Sequence, residues 1–155
     1  MRLRTLLRSL LVTATMVTMA TLATTTTACN SEDSPVAPSA TANVPFQIID
    51  LAVGTGPAAA NGDSLTVSYT GWLWDPNGVD NKGEVFDSAS AAAPFAFVLG
   101  TGQVIAGWDQ GMVGMPVGGM RLLIIPPALA YGEAGSGPIP PNATIIFEIG
   151  LIAIQ

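Results

Sequence analysis

Ser64-Leu-Thr-Val-Ser-Tyr-Thr-Gly-Trp-Leu73 alternates apolar and polar side chains along its length. Leu65, Val67, Tyr69 and Leu73 fall on one side of an extended chain, and Ser64, Thr66, Ser68 and Thr70 on the other. That is the period of a strand with one buried face. Thr144 to Ile154 repeats it with Ile145, Phe147, Ile149 and Leu151, and Phe95, Phe97 and Leu99 repeat it more briefly. Met120 to Ile125 is a further, mostly apolar run, stopped by Pro126-Pro127 because proline brings no N–H to a ladder. Phe46 to Leu51 reads as a first strand. One segment departs from the period of two. Between Val104 and Met112, the residues Ile105, Trp108 and Met112 share a helical stripe opposite Asp109 and Gln110. One short helix among several antiparallel strands predicts an α+β domain whose sheet packs its apolar face on that helix.

Loops separate these segments. Asp75-Pro76-Asn77-Gly78 and Asn81-Lys82-Gly83 carry turn chemistry and predict a projecting loop between the strand at Tyr69 and the segment at Phe86. Ala128 to Pro141 is rich in Gly and Pro and places Tyr131 in a loop. The 155 residues suit one domain, here 44–155, with room for a single core.

The first 43 residues read differently. Arg2, Arg4 and Arg8 precede an uncharged, mostly apolar stretch from Leu10 to Ala23. That stretch is shorter than the ~20 residues of a membrane-spanning helix, so residues 1–28 are expected to be a secretory signal peptide. Thr26-Thr27-Ala28-Cys29 resembles the bacterial lipobox, although Thr26 stands where that pattern prefers Leu. The resemblance implies lipid attachment at Cys29; ordinary signal-peptidase cleavage, leaving a free thiol, is the alternative. Residues 29–43 then form a Pro/Ser/Ala-rich flexible linker with a reach of roughly 20 Å. The expected location is outside the cytoplasm, as a membrane-anchored lipoprotein facing the periplasm or cell exterior.

Charge and missing residue types narrow the chemistry. A chain starting at Cys29 keeps two basic residues, Lys82 and Arg121, against eleven acids, a net charge of −9. Such a surface repels phosphate backbones, so no nucleic-acid partner is expected, and contact with membrane only through the anchor. There is no histidine, and Cys29 is the single cysteine. The commonest general base near neutral pH, a disulfide within the chain and a Cys-based zinc site are thereby excluded. No metal or cofactor is expected.

Six ordered blocks then resemble the FKBP family of macrolide-binding prolyl isomerases. They are Val67-Ser-Tyr-Thr-Gly71, Val85-Phe-Asp-Ser88, Pro94-Phe-Ala-Phe97, Gln103-Val-Ile-Ala-Gly-Trp108, Ala130-Tyr-Gly132 and Ile139-Pro-Pro-Asn-Ala-Thr144 running into Phe147. The resemblance covers about Gly62 to Ile154. It implies an antiparallel sheet of five to six strands half-wrapped around one short helix, with the active site between them. Carried over residue by residue, it implies catalytic roles for Asp87, Tyr131, Trp108 and Phe147. It implies substrate contacts for Tyr69, Phe86, Phe95, Gln103, Val104, Ile105 and Ile139. The counterpart of Trp108 floors the pocket, while the Ile105 N–H and the Tyr131 hydroxyl meet ligand carbonyls. The implied activity is peptidyl-prolyl cis/trans isomerisation during folding of exported proteins, with proline-containing polypeptides as substrates and macrolides as inhibitors. A proline-motif binding or chaperone module with little catalysis is the alternative, and a monomer is expected. Two departures stand out: the Trp72–Val85 stretch is longer than in the smallest relatives, and Tyr131–Pro140 is one residue shorter.

Overall fold

Alternation along the longest strands settles which side of the sheet is buried. The computed structural model describes residues 44–155, and the expectations for the signal peptide, Cys29 and the linker lie outside the described residues. In β2 (Ser64–Trp74), Leu65 and Val67 are wholly enclosed while Ser64, Thr66, Ser68 and Thr70 keep part of their surface. In β6 (Ile145–Ile154), Ile145, Phe147, Ile149 and Leu151 are buried on the same side. These two strands pair over nearly their whole length, from Leu65 opposite Ile154 to Leu73 opposite Ile145. Beyond β6 lies β5 (Met120–Ile125), and beyond that β1 (Gln47–Ala52) at the edge.

The other side of β2 is shared. Its second half pairs with β3 (Lys82–Ala89), from Tyr69 opposite Ala89 to Trp74 opposite Lys82. Its first half pairs with β4 (Phe95–Val98), Leu65 opposite Phe97 and Val67 opposite Phe95. All pairings in this six-stranded sheet are antiparallel. The α+β expectation holds.

Two local expectations are corrected. The helix α1 spans Ala106–Gly111, not Val104–Met112. Ile105 is its N-cap in extended geometry (φ −61°, ψ 149°), so Val104 and Ile105 belong to the loop entering the helix. The projecting loop is also shorter than expected, because β2 continues to Trp74 and β3 begins at Lys82. What remains is a turn, pinned where the Asp75 carboxylate accepts the Asn77 N–H at 2.9 Å, with Asp80 and Asn81 in the left-handed region.

Glycines bring α1 close to the sheet. A Cβ on Gly107 would lie 2.5 Å from Ile125 Cγ2, and one on Gly111 would lie 2.7 Å from Leu123 Cδ1. Their absence lets the helix backbone lie directly on β5, with Trp108 and Met112 buried in the core. At the far end of α1 the buried Arg121 closes the junction. Its Nη1 donates to the Gly111 carbonyl at 2.7 Å and to the Val113 carbonyl at 3.2 Å, while its Nε donates to Asp50 at 2.6 Å. One guanidinium thus satisfies carbonyls that a helix end leaves unpaired and ties them to the edge strand.

Candidate active site

The loop Leu99–Ile105, helix α1 and the inner face of β2 and β6 enclose a cavity of about 400 Å³. Trp108 forms its floor, delivered by the close-packed helix and only 4% exposed. Around it stand Tyr69, Phe95 and Phe147, whose ring centroids lie 5.1, 6.3 and 5.0 Å from the indole, all near perpendicular. Phe97 backs the same indole from the core at 5.6 Å. Edge-to-face packing of this kind fixes ring orientation and keeps the floor apolar. The indole N–H is enclosed and has no hydrogen-bond acceptor among the described residues. Leaving a polar group unpaired costs about 1–3 kcal/mol, set here against several ring contacts.

Two phenols reach the cavity and differ in partner. The Tyr69 hydroxyl donates to Asp87 Oδ2 at 2.6 Å, and the other carboxylate oxygen accepts the Ser88 N–H at 2.8 Å. The Tyr131 hydroxyl has no hydrogen-bond partner among the described residues, so it is a free donor on the cavity wall. Burial, followed by the hydrogen bond and charge of Asp87, pushes the Tyr69 phenol above its ordinary value. Burial and then Asp87 push Tyr131 the same way. Both phenols therefore stay protonated well into alkaline solution. The backbone N–H of Ile105, ahead of the helix, is likewise unpaired among the described residues.

Of the residues singled out from sequence, Tyr69, Asp87, Phe95, Gln103, Val104, Ile105, Trp108, Tyr131 and Phe147 line this one cavity. Phe86 does not; it stands behind Phe147, edge-on at 5.4 Å. Ile139 lines a separate hollow with Leu73 and Glu84 beneath the Ala134–Pro141 loop. Gln103 is on the wall, but its Oε1 accepts the Val98 N–H at 3.0 Å, which engages the side chain in holding the loop. Two contributors escaped the sequence reading. Gly102 is part of the wall. Asp109, taken for a solvent-facing residue, sends one carboxylate oxygen to the Gly100 N–H at 2.8 Å and the other to the Gly102 N–H at 3.0 Å. The glycine pair Gly100-Thr-Gly102 just before a helix with an acid in its first turn was the available signal.

Among the described residues no group of three or more His, Cys, Asp or Glu is placed to hold a metal. The site offers apolar enclosure, one free hydroxyl and a free amide, which suits a ligand carbonyl and a non-polar ring.

The family model described as FKBP-type peptidyl-prolyl cis-trans isomerase matches residues 56–152. FK506-binding protein 4 of Neurospora crassa is 50% identical over 108 residues, covering 70% of this chain and 22% of that protein. FK506-binding protein 1 of Aspergillus oryzae is 40% identical over 106 residues, covering 66% of this chain and 91% of that one. Among solved structures, the crystal structure of AtFKBP13 superposes with a TM-score of 0.62 at 38% identity, covering 71% of this chain and 93% of the other.

Proposed function

Since the chain belongs to the FKBP-type peptidyl-prolyl cis-trans isomerase family, we propose that it accelerates rotation about X-Pro bonds in polypeptides, using the aromatic cavity over Trp108. The observation that carries this is an apolar box with one unengaged phenol, Tyr131, on its wall. The barrier to turning a peptide bond is roughly 18–20 kcal/mol and comes from partial double-bond character. Twisting the bond reduces charge separation along O–C–N, so water favours the planar ground state over the twisted one. Trp108, Tyr69, Phe95 and Phe147 exclude that water from a proline ring seated on the indole. The Ile105 N–H and the Tyr131 hydroxyl are placed to hold the substrate carbonyls, favouring the twisted geometry in a preorganised site. Asp87 keeps Tyr69 in place through the 2.6 Å bond. No nucleophile or proton transfer is required.

The proposal extends to place and partners. The basic and apolar N-terminal stretch and Ala28-Cys29 support export and lipid anchoring, with folding exported chains as clients and the domain acting as a monomer. The names of the relatives support FK506 as a competitor for the cavity. The test is isomerisation of an X-Pro peptide by the full chain carrying Cys29→Ser, with and without FK506. Acceleration that FK506 abolishes is expected. FK506 binding without acceleration would assign the domain to proline-motif binding instead, and neither effect would remove the cavity from consideration.

A further inference from the structure

The side of the sheet turned away from α1 is unusually apolar. Ile49 and Leu51 of β1 are 43% and 48% exposed, and Met120 and Ile152 are 41% and 39% exposed. Val44, Ile49, Leu51, Trp74, Leu122 and Ile124 line a groove of about 720 Å³ across this face, together with five polar residues including Gln47 and Asn81. Trp72, opposite Ile146 in the ladder, extends the same surface. Exposed apolar side chains clustered in this way on an acidic domain mark a contact surface.

Three observations bear on what covers it. First, Val44, the first of the described residues, is itself in the groove wall. Second, the charges here are nearly balanced. Lys82 Nζ lies 2.9 Å from Glu148 and 4.4 Å from the centre of the Trp72 ring, which leaves Asp80 as the one unpaired charge on the groove wall. Acids elsewhere are engaged off this face, Asp109 at the loop and Asp87 at the cavity. Third, Trp108 and the cavity lie on the opposite side of the sheet.

We propose that this outer face rests on the lipid bilayer to which Cys29 is anchored, with Trp72 and Trp74 at headgroup level and the cavity turned to the aqueous side. Indole rings favour that boundary, and a groove whose net charge is only that of Asp80 lets an acidic domain approach anionic lipid. A linker of about 14 residues holds the face at an effective concentration in the mM range, so weak apolar contact suffices. The inference rests on the lipid-anchor reading, and the experiment separates the two.

The acylated full chain is reconstituted in phosphatidylethanolamine/phosphatidylglycerol vesicles containing brominated acyl chains. Flotation reports the anchor, and quenching of tryptophan emission reports docking. Docking predicts quenching that Trp72→Phe/Trp74→Phe abolishes, leaving emission from Trp108. Leu51→Glu, at an exposed position, should lose most of the quenching while flotation and isomerisation persist, and Val113→Glu, exposed off this face, should change none of these. A wild-type chain that floats without being quenched overturns docking and leaves the anchor standing. Failure to float removes the anchor and docking together. Concentration-dependent dimerisation of Cys29→Ser that Leu51→Glu abolishes would give the face to a second copy and overturn the proposal.

Discussion

Tyr69 and Tyr131 face the same cavity, but one hydroxyl is committed to Asp87 and the other has no partner among the described residues. Their removal should therefore separate structure from catalysis. Tyr131→Phe takes away a hydroxyl that bonds nothing among the described residues and that the proposed mechanism gives to the substrate carbonyl. We expect kcat/KM to fall by about tenfold, the worth of one modest hydrogen bond, with the urea midpoint unchanged. Tyr69→Phe instead releases a carboxylate. Because Asp87 is exposed, the stability lost is at most about 1 kcal/mol, read from the same urea melts. Equal activity losses and equal midpoints in the two variants would contradict the division of labour.

At the scale of the element, the short helix depends on polar ties at both ends. Asp109→Asn keeps size but leaves one acceptor for the two N–H groups of Gly100 and Gly102, so one of the two bonds is lost and an NH2 faces the other donor. It should raise KM for a proline peptide several-fold, because the loop supplying Val104 and Ile105 loosens, while Asp109→Glu recovers part of the effect. Stability should drop by about 1–2 kcal/mol in chemical denaturation. Arg121→Met is expected to be harsher, about 3 kcal/mol or more, since it orphans the Gly111 and Val113 carbonyls in a buried place. These ties also show where sequence patterning stops. β2 and β6 were legible from the alternation of their buried face, and β5 as an apolar run ended by two prolines. β3 was not, because Trp72 faces Val85 and Gly71 faces Asp87, so Phe86 is an extra residue that breaks the alternation. The helix read too long because Val104 and Ile105 are apolar for the cavity's sake rather than for a helical stripe. Aromatic wall residues were found through ordered blocks. Asp109 was missed because a side chain holding a loop seven to nine residues back leaves no periodic trace.

For the whole molecule, ionisation predicts two pH profiles. No histidine is present, ordinary carboxylates titrate near pH 4, and Cys29 lies outside the domain. Isomerisation should therefore be flat between about pH 6 and 9, measured with a peptide lacking titratable side chains. Stability should fall in alkali. Tyr69 and Tyr131 ionise at higher pH folded than unfolded. Their contribution is whole below the unfolded value of about 10 and is lost as pH rises from there through the folded values. Urea midpoints taken between pH 8 and 11 should fall at the upper end, and Tyr69→Phe should flatten that fall. A bell-shaped activity profile inside the neutral window would point to proton transfer and against desolvation.

The order of strands across the sheet bears on when the chain can fold at all. β6 is the last of the described strands to be synthesised, yet it stands between β5 and β2. Before it arrives, β1 and β5 form one ribbon and β2, β3 and β4 another, with no ladder joining them. Neither ribbon has a closed core, because Ile145, Phe147, Ile149 and Leu151 are still missing. Closing the sheet then requires contacts between Leu65 and Ile154, far apart in sequence, which makes folding slow and all-or-none. A chain truncated before Ile145 should give the far-ultraviolet circular dichroism of a largely unfolded polypeptide. During synthesis the same arrangement makes the earlier strands wait for β6, so the core can close only once that strand has emerged.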